Sequence, residues 1–512
     1  MLAAFFRLRE GLVMKQCGLF GVSAAFVLLG TTALQAQVTA EEVWQNWKDL
    51  AAGYGQEVTT TGEAMQGDTL VVTGMAFTAS APDAKVTGSL DEVRFREMGD
   101  GRVEITMSPR YPIAMELTDG GETVAINLEM THQNLRMVAG GSADSTSYDF
   151  TADRVDFATT GVSRDGEAMP VKGGMALGGF GGNYVVTRGS GDAIDLTSTI
   201  NAGDLTVTVA ATDHNSGGDI AFDLSMAGLA AQTSGNFGAM MQIERLDEAL
   251  AAGLATAFGL TYGAVAMDMR VVEYGEETTV NAKAAGGSIG GSIDRTRLAY
   301  RGGANGVDVK VTGGDMPLPE VTVSYTEAGF DLSVPVGKGD APQDFGLSVA
   351  LRDLAVSDGL WSMFDPMGNL PRDPATLVID AKGAATLTAD LFDPDAMSFG
   401  PPGMIESLSV PTILVKLIGA ELTGDGALTF DNTDLETFGG VPAPTGTINL
   451  QLVGANALID KLVAMGMIPE DQAMGARMMM GMFARPGNGP DTLTSTIEFK
   501  DKGFFANGMR LQ

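Results

Sequence analysis

Along most of this chain, apolar side chains recur with a period of two. The alternation is clean in 92–97, 102–107, 204–209 and 219–226, and again in 306–311, 320–325, 346–351, 447–452 and 494–499. A strand turns successive side chains to opposite faces, so each of these segments has one apolar face and one wet face. Asp119-Gly120, Asp165-Gly166 and Asn305-Gly306 read as turn or hairpin chemistry between strands. No regular alternation of strand and helix is visible, which argues against a parallel doubly wound sheet. The expected fold class is mainly β: long curled antiparallel sheets with a few short helices and a C-terminal helical hairpin. Helices are too few to cover so much apolar sheet, so the sheet must curl or stack on itself.

Where helices are expected, each has a physical reason. Thr39-Ala-Glu-Glu42 is a capping-box pattern opening a helix to Gly53, with Val43, Trp44, Trp47 and Leu50 on one face. Short helices are expected over 244–252 and 358–364. A helical hairpin is expected over 455–483, its first arm carrying Leu458, Ile459, Leu462 and Val463 and ending at Gly466. Pro469, Glu470 and Asp471 suit the start of the second arm, which presents Met474, Met478 and Met482 before Pro486 stops it. Glycine-rich 173–182 and the stretch 335–342 read as boundaries. The second divides the chain into an N-terminal β-rich region, 37–335, and a C-terminal one, 343–512.

Residues 1–36 read as a signal peptide. Met14-Lys15 gives a positive start, 17–29 is apolar, and small and polar residues run on to Ala36. Met14 makes the more ordinary start; cleavage after Ala36 sets an imperfect Leu34 three positions back, and cleavage after Ala33, with Thr31 there, fits the small-residue rule better. The expected address is the periplasm, or an inner-membrane anchor if the segment stays uncleaved. The apolar core is short against the roughly 20 residues of a span. The one cysteine, Cys17, lies at the start of that core, where it cannot be a lipid-attachment site. Past the signal there is no thiol chemistry and no disulfide.

Charge narrows the partners. The chain holds 64 acidic against 32 basic residues, a net of −32. Such a field repels nucleic acid and anionic headgroups unless a basic patch overrides it. The largest gathering, Arg295, Arg297 and Arg301, is interrupted by Asp294. No nucleic-acid partner is expected.

Candidate chemistry fails on order or context. Gly286-Gly-Ser288-Ile-Gly290 matches the nucleophile-elbow pattern, but both histidines, His132 and His214, precede it, so the hydrolase triad order cannot form. His132 and His214 sit in polar, turn-like contexts and read as surface histidines rather than metal ligands. Gly302–Asp308 is one residue too long for a calcium nonapeptide and occurs once, so it reads as a glycine-rich hairpin turn. Phosphate-binding and dinucleotide fingerprints do not appear. Catalytic, metal and cofactor residues are therefore expected to be none, and the protein is expected not to be an enzyme. The candidate site is instead an apolar groove formed by Leu205, Val207, Val209, Val307, Val309, Val311, Ile448, Leu450 and Leu452. Met474, Met478 and Met482 would form its lid, methionine being adaptable to variable apolar partners.

The run Asp358-Gly-Leu-Trp-Ser-Met-Phe-Asp-Pro366, then Leu370-Pro-Arg-Asp-Pro-Ala-Thr-Leu377, resembles an uncharacterised alphaproteobacterial family, domain of unknown function 2125. Leu391–Pro394, Gly419–Gly424, Thr429–Asn432, Asn456–Gly466, Leu493–Glu498 and Ala506–Arg510 extend the resemblance over most of the chain beyond the signal. It implies no catalytic residues. The ending is also loosely similar to AsmA-like envelope proteins, which implies a curled sheet with an apolar groove and a part in lipid handling. Two readings follow: an envelope protein that binds or transfers lipid or another apolar ligand, or a structural envelope protein that meets a protein partner and no ligand. An outer-membrane barrel is disfavoured by the ending Met509-Arg-Leu-Gln512, which lacks a terminal aromatic.

Overall fold

The computed structural model describes residues 37–53, 55–142, 144–189, 194–213, 218–236, 245–314, 316–396, 398 and 400–512. The expected signal peptide, Cys17 and His214 lie outside them. The protein is mainly β, with antiparallel pairing throughout the registered strands and, among the described residues, five short helices. These helices are α1 (Ala40–Gly53), α2 (Leu246–Ala251), α3 (Asp358–Phe364), α4 (Ala455–Ala464) and α5 (Glu470–Phe483). Contacts divide the chain into two compact units. Unit 1 holds residues up to 242 with 258–281 and 313–315; unit 2 holds 243–257, 282–312 and 316–512. The expected boundary stretch 335–342 falls inside unit 2.

Unit 1 begins with the capping box. Glu42 N–H donates to Thr39 Oγ1 at 3.2 Å, and Thr39 N–H donates back to Glu42 Oε2 at 2.9 Å. Helix α1 then buries Val43, Trp44 and Trp47 against one half of the sheet. Phe95 receives both indoles, at ring-centroid distances of 5.7 and 5.2 Å. Tyr148 and Tyr184 stack at 4.7 Å beside them. All fully buried aromatics among the described residues belong to this cluster. Burying each such side chain contributes roughly 1.5–3 kcal/mol, so this half is the anchor of the unit.

A line of unpaired positions facing one another crosses the same sheet. Pairing skips Gly74 opposite Asp91, Asp153 opposite Gly179, and Gly203 opposite Gly228. Gly263 N–H closes the line by donating to Ala227 O at 2.7 Å. Gly74, Asn134, Gly179 and Gly228 have positive φ, between +52° and +61°. This bulge line, with one residue unpaired on each strand, keeps the register while the inward-facing side chains change phase by one residue. Above the line the strand Ile194–Asp213 turns Leu196, Ser198 and Ala202 inward; below it the apolar set is Leu205, Val207 and Val209. The even set thus continues as an odd set. Glycine-rich 173–182, expected as a boundary, is the interior of the strand Val171–Arg188, where this line crosses it.

Unit 2 repeats the device. Asn305-Gly306, expected as a turn, lies inside the strand Arg297–Gly313, and Gly306 has φ +58°. It is skipped in pairing opposite Thr326, and Thr326 Oγ1 donates to Asp353 Oδ2 at 2.8 Å, where Asp353 has φ +55°. The turn reading fails because an isolated Asn-Gly signal does not distinguish a reversal from a bulge.

Candidate functional site

Directly paired residues in an antiparallel sheet share a face, so the register defines the surfaces. In unit 1 one row runs Val155, Leu177, Leu205, Met226, Val265. A second runs Phe157, Met175, Val207, Leu224, Met267. Val209 continues it with Phe222 and Met269. Apart from buried Val155, all of these side chains are only half-buried. The alternate positions are polar or small: they include the Arg154–Asp156 ion pair at 2.8 Å and the buried Ala176. Helix α1, the one helix of unit 1 among the described residues, packs on the other side of the bulge line. The apolar rows below the line remain partly exposed.

Unit 2 carries its own apolar face. One row runs Gly302, Phe330, Val349, Ile379, Ile413, Gly424, Leu450. Another runs Phe345, Gly383, Leu408, Leu428, Gly446, Phe499. Part of this second row lines a cleft of about 660 Å³. A side chain at Gly383 would lie 2.7 Å from the Phe345 ring, so glycine there lets the ring lie flat across the sheet. Tyr300, Phe330 and Leu347 remain 39, 38 and 43% exposed. The opposite face is mixed: Ser348 Oγ donates to Asp380 at 2.6 Å and Asn449 to Asp425 at 3.3 Å, while Val378 is buried between Ala350 and Leu414.

The nine expected groove residues are all half-buried. Leu205, Val207 and Val209 share one face of unit 1. Ile448, Leu450 and Leu452 share the face of unit 2 that holds Phe330 and Val349. Val307, Val309 and Val311, paired with Tyr325, Val323 and Val321, lie on the other side of the Gly306–Thr326 break from Leu450's row. The neighbours in each row, Met175, Leu224, Met267, Val349 and Ile379 among them, were not singled out from the sequence, although their period-two spacing carried the signal.

The helical hairpin is present as α4 and α5. Its methionines point outward: Met474, Met478 and Met482 are 62, 68 and 51% exposed, while Ala473 is the buried residue of α5. Asp491 holds the hairpin to the sheet by accepting from the N–H groups of Asn456 and Ala457 at 3.2 and 2.9 Å. Burial opposes its charge, but these donors hold its carboxyl below the usual value. Asp365 is fully buried and accepts from Asn369 and Leu370 N–H at 2.9 and 2.7 Å. Its burial is likewise outweighed by backbone donors, so it stays ionised and shapes the 365–370 loop.

Groups that might have carried catalysis are placed otherwise. Ser288 is an exposed residue within the strand Gly286–Ile293, with no strand-to-helix elbow. Gly302–Asp308 is mid-strand rather than a hairpin turn. His132, expected at the surface, is half-buried and pairs with Val155 at the end of the first apolar row. Among the described residues no group of three or more His, Cys, Asp or Glu is placed to hold a metal ion. Among the same residues no helix is long and apolar enough to cross a membrane.

No curated protein and no solved structure matches the chain. A family model does, and its match begins at residue 264, later than the resemblance read along the sequence. The model that matches residues 264–511 is that of a family described as an uncharacterized protein conserved in bacteria, DUF2125.

Proposed function

We propose that the protein binds an apolar ligand, a lipid acyl chain, on its half-covered sheet faces, and that it does so in the cell envelope after export. The observation that carries this reading is the continuity of the apolar rows. Five successive strands of unit 1 align Phe157, Met175, Val207, Leu224 and Met267 without a polar interruption, and all five remain half-buried. A monomer rarely leaves a contiguous apolar surface uncovered unless something binds it. The loose similarity of the chain's ending to AsmA-like envelope proteins points the same way, as does the leader-like composition of 1–36.

The test is lipid extraction and mass spectrometry of the protein purified from its envelope fraction, beside the variants Val207→Asp and Val309→Asp. Lipid in the wild type and at least a tenfold loss in Val207→Asp are expected. Loss in Val309→Asp too would show that the apolar face of that strand of unit 2 binds lipid by itself. A wild type free of lipid, with a protein partner recovered by crosslinking instead, would favour the structural-protein reading.

A further inference from the structure

We infer that His132 makes the strand junction of unit 1 acid-sensitive: its protonation loosens the bulge line and frees the apolar face below it. This rests on the junction itself and not on the identity of any ligand. The strands Val103–Met107 and Arg110–Asp119 are separated by a break at Ser108-Pro109. The strands Glu122–Gln133 and Arg136–Ser142 are separated by a break at Asn134, which has φ +52°. His132 stitches the two breaks together. Its backbone N–H donates to Pro109 O at 3.1 Å, and its ring Nε2 lies 3.1 Å from Ser108 O. A carbonyl can only accept, so Nε2 carries the hydrogen and neutral Nδ1 is an acceptor. Nδ1 is buried and meets no partner among the described residues.

A proton on Nδ1 would create a buried, charged donor with nothing to receive it, which costs far more than a neutral unmet acceptor. The surroundings offer no relief. On His132's own face stand Val155 opposite and Met130 two residues back, with Tyr111 opposite Met130. The charged groups belong to the other face and are already engaged. Asp156 pairs with Arg154 at 2.8 Å, and Glu129 with Arg110 at 3.5 Å. From the strand Ala84–Glu97, Glu92 is held by Arg94 at 2.7 Å; Asp153 takes Asn134 Nδ2 at 2.6 Å. Burial accordingly pushes the imidazole below its ordinary value of 6.5, against the smaller opposing effect of the Ser108 bond.

A histidine whose folded value is depressed binds fewer protons folded than unfolded. Its junction therefore keeps full strength above about pH 6.5 and weakens as pH falls towards the folded value. The same charge enters the end of the row Val155, Leu177, Leu205, so the apolar face loses its uniform character at that pH.

Hydrogen exchange of the full chain and of His132→Gln, compared between about pH 7.5 and 5.5 and corrected for intrinsic rates, tests this. In the wild type, exchange at the amides of His132 and Ser108 is expected to rise by up to tenfold per pH unit relative to strand interiors. In His132→Gln that rise is expected to vanish. Equal pH dependence in both proteins, or none in the wild type, overturns the inference. Should the variant not fold, nitrogen NMR of the wild-type ring decides: an Nε2–H tautomer titrating below 6.5 supports it, and titration at or above 6.5 overturns it.

Discussion

At the scale of single residues, the polar side chains with the clearest roles hold backbone rather than perform chemistry. Asp491 receives two N–H groups of the first turn of α4, donors the helix cannot satisfy itself. Asp491→Ala is expected to lower stability by about 1 kcal/mol near neutral pH. Because the folded carboxyl is held below the unfolded value of 3.8, that contribution exists above the unfolded value and disappears as pH falls through the folded one. Melting curves of variant and wild type should therefore converge in acid; a gap that persists there would show the loss is packing. Gly182 tests the opposite kind of constraint. A Cβ there would stand 2.1 Å from Thr199 O and 3.1 Å from the Phe150 ring, so Gly182→Ala is expected to cost about 1–3 kcal/mol in a denaturant melt. Neither role was legible in the chain. Asp491 and Asn456 are 35 positions apart, and nothing local marks one as the other's partner. The Thr39–Glu42 box, in contrast, closes within one helical turn and could be read directly.

Among the elements, periodicity served well and punctuation served badly. Helix α1 was legible because its cap and its Val43, Trp44, Trp47 spacing agree. The same agreement of breaker and pattern located α4 and α5. Glycine misled where it serves the bulge lines: 173–182 and Asn305-Gly306 are strand interiors, and the clue was a change of alternation from even to odd rather than the glycine itself. The outward face of α5 was hidden for another reason. Methionine is equally at home in a core and on a surface, so its spacing gives a stripe without a direction. With Met474, Met478 and Met482 exposed, replacing all three by Gln is expected to change stability by no more than about 0.5 kcal/mol each. A larger loss would mean the stripe is covered in solution. If the stripe contacts lipid, the same variant should retain less of it while melting normally.

For the molecule as a whole, the charge imbalance is the feature that experiments can move most easily. Acidic residues outnumber basic ones two to one, so the folded state carries a self-repulsion that salt relieves. The midpoint of thermal unfolding is expected to rise between about 0.01 and 0.15 M salt, as the screening length falls from roughly 30 to 8 Å. A midpoint that falls would show that favourable pairs such as Glu104 with Arg96 and Arg136 dominate instead. The mainly β class was legible because a period of two survives over hundreds of residues. Which strand segments share a face was not, because that depends on where the alternation changes phase.

The bulge lines also govern how the chain can change length. The strands Val171–Arg188, Ile194–Asp213 and Gly218–Asn236 keep their apolar residues in step because the skipped positions stand opposite one another. Deleting Gly203 would turn Leu205, Val207 and Val209 to the polar side while Met175 and Leu224 stayed where they are. A one-residue deletion inside any of these strands is therefore expected to abolish folding, whereas the same deletion at the Asp119-Gly120 turn is expected to be absorbed. Insertions and losses among descendants of this sequence would be confined to the hairpin tips, and strand length would be inherited as a block.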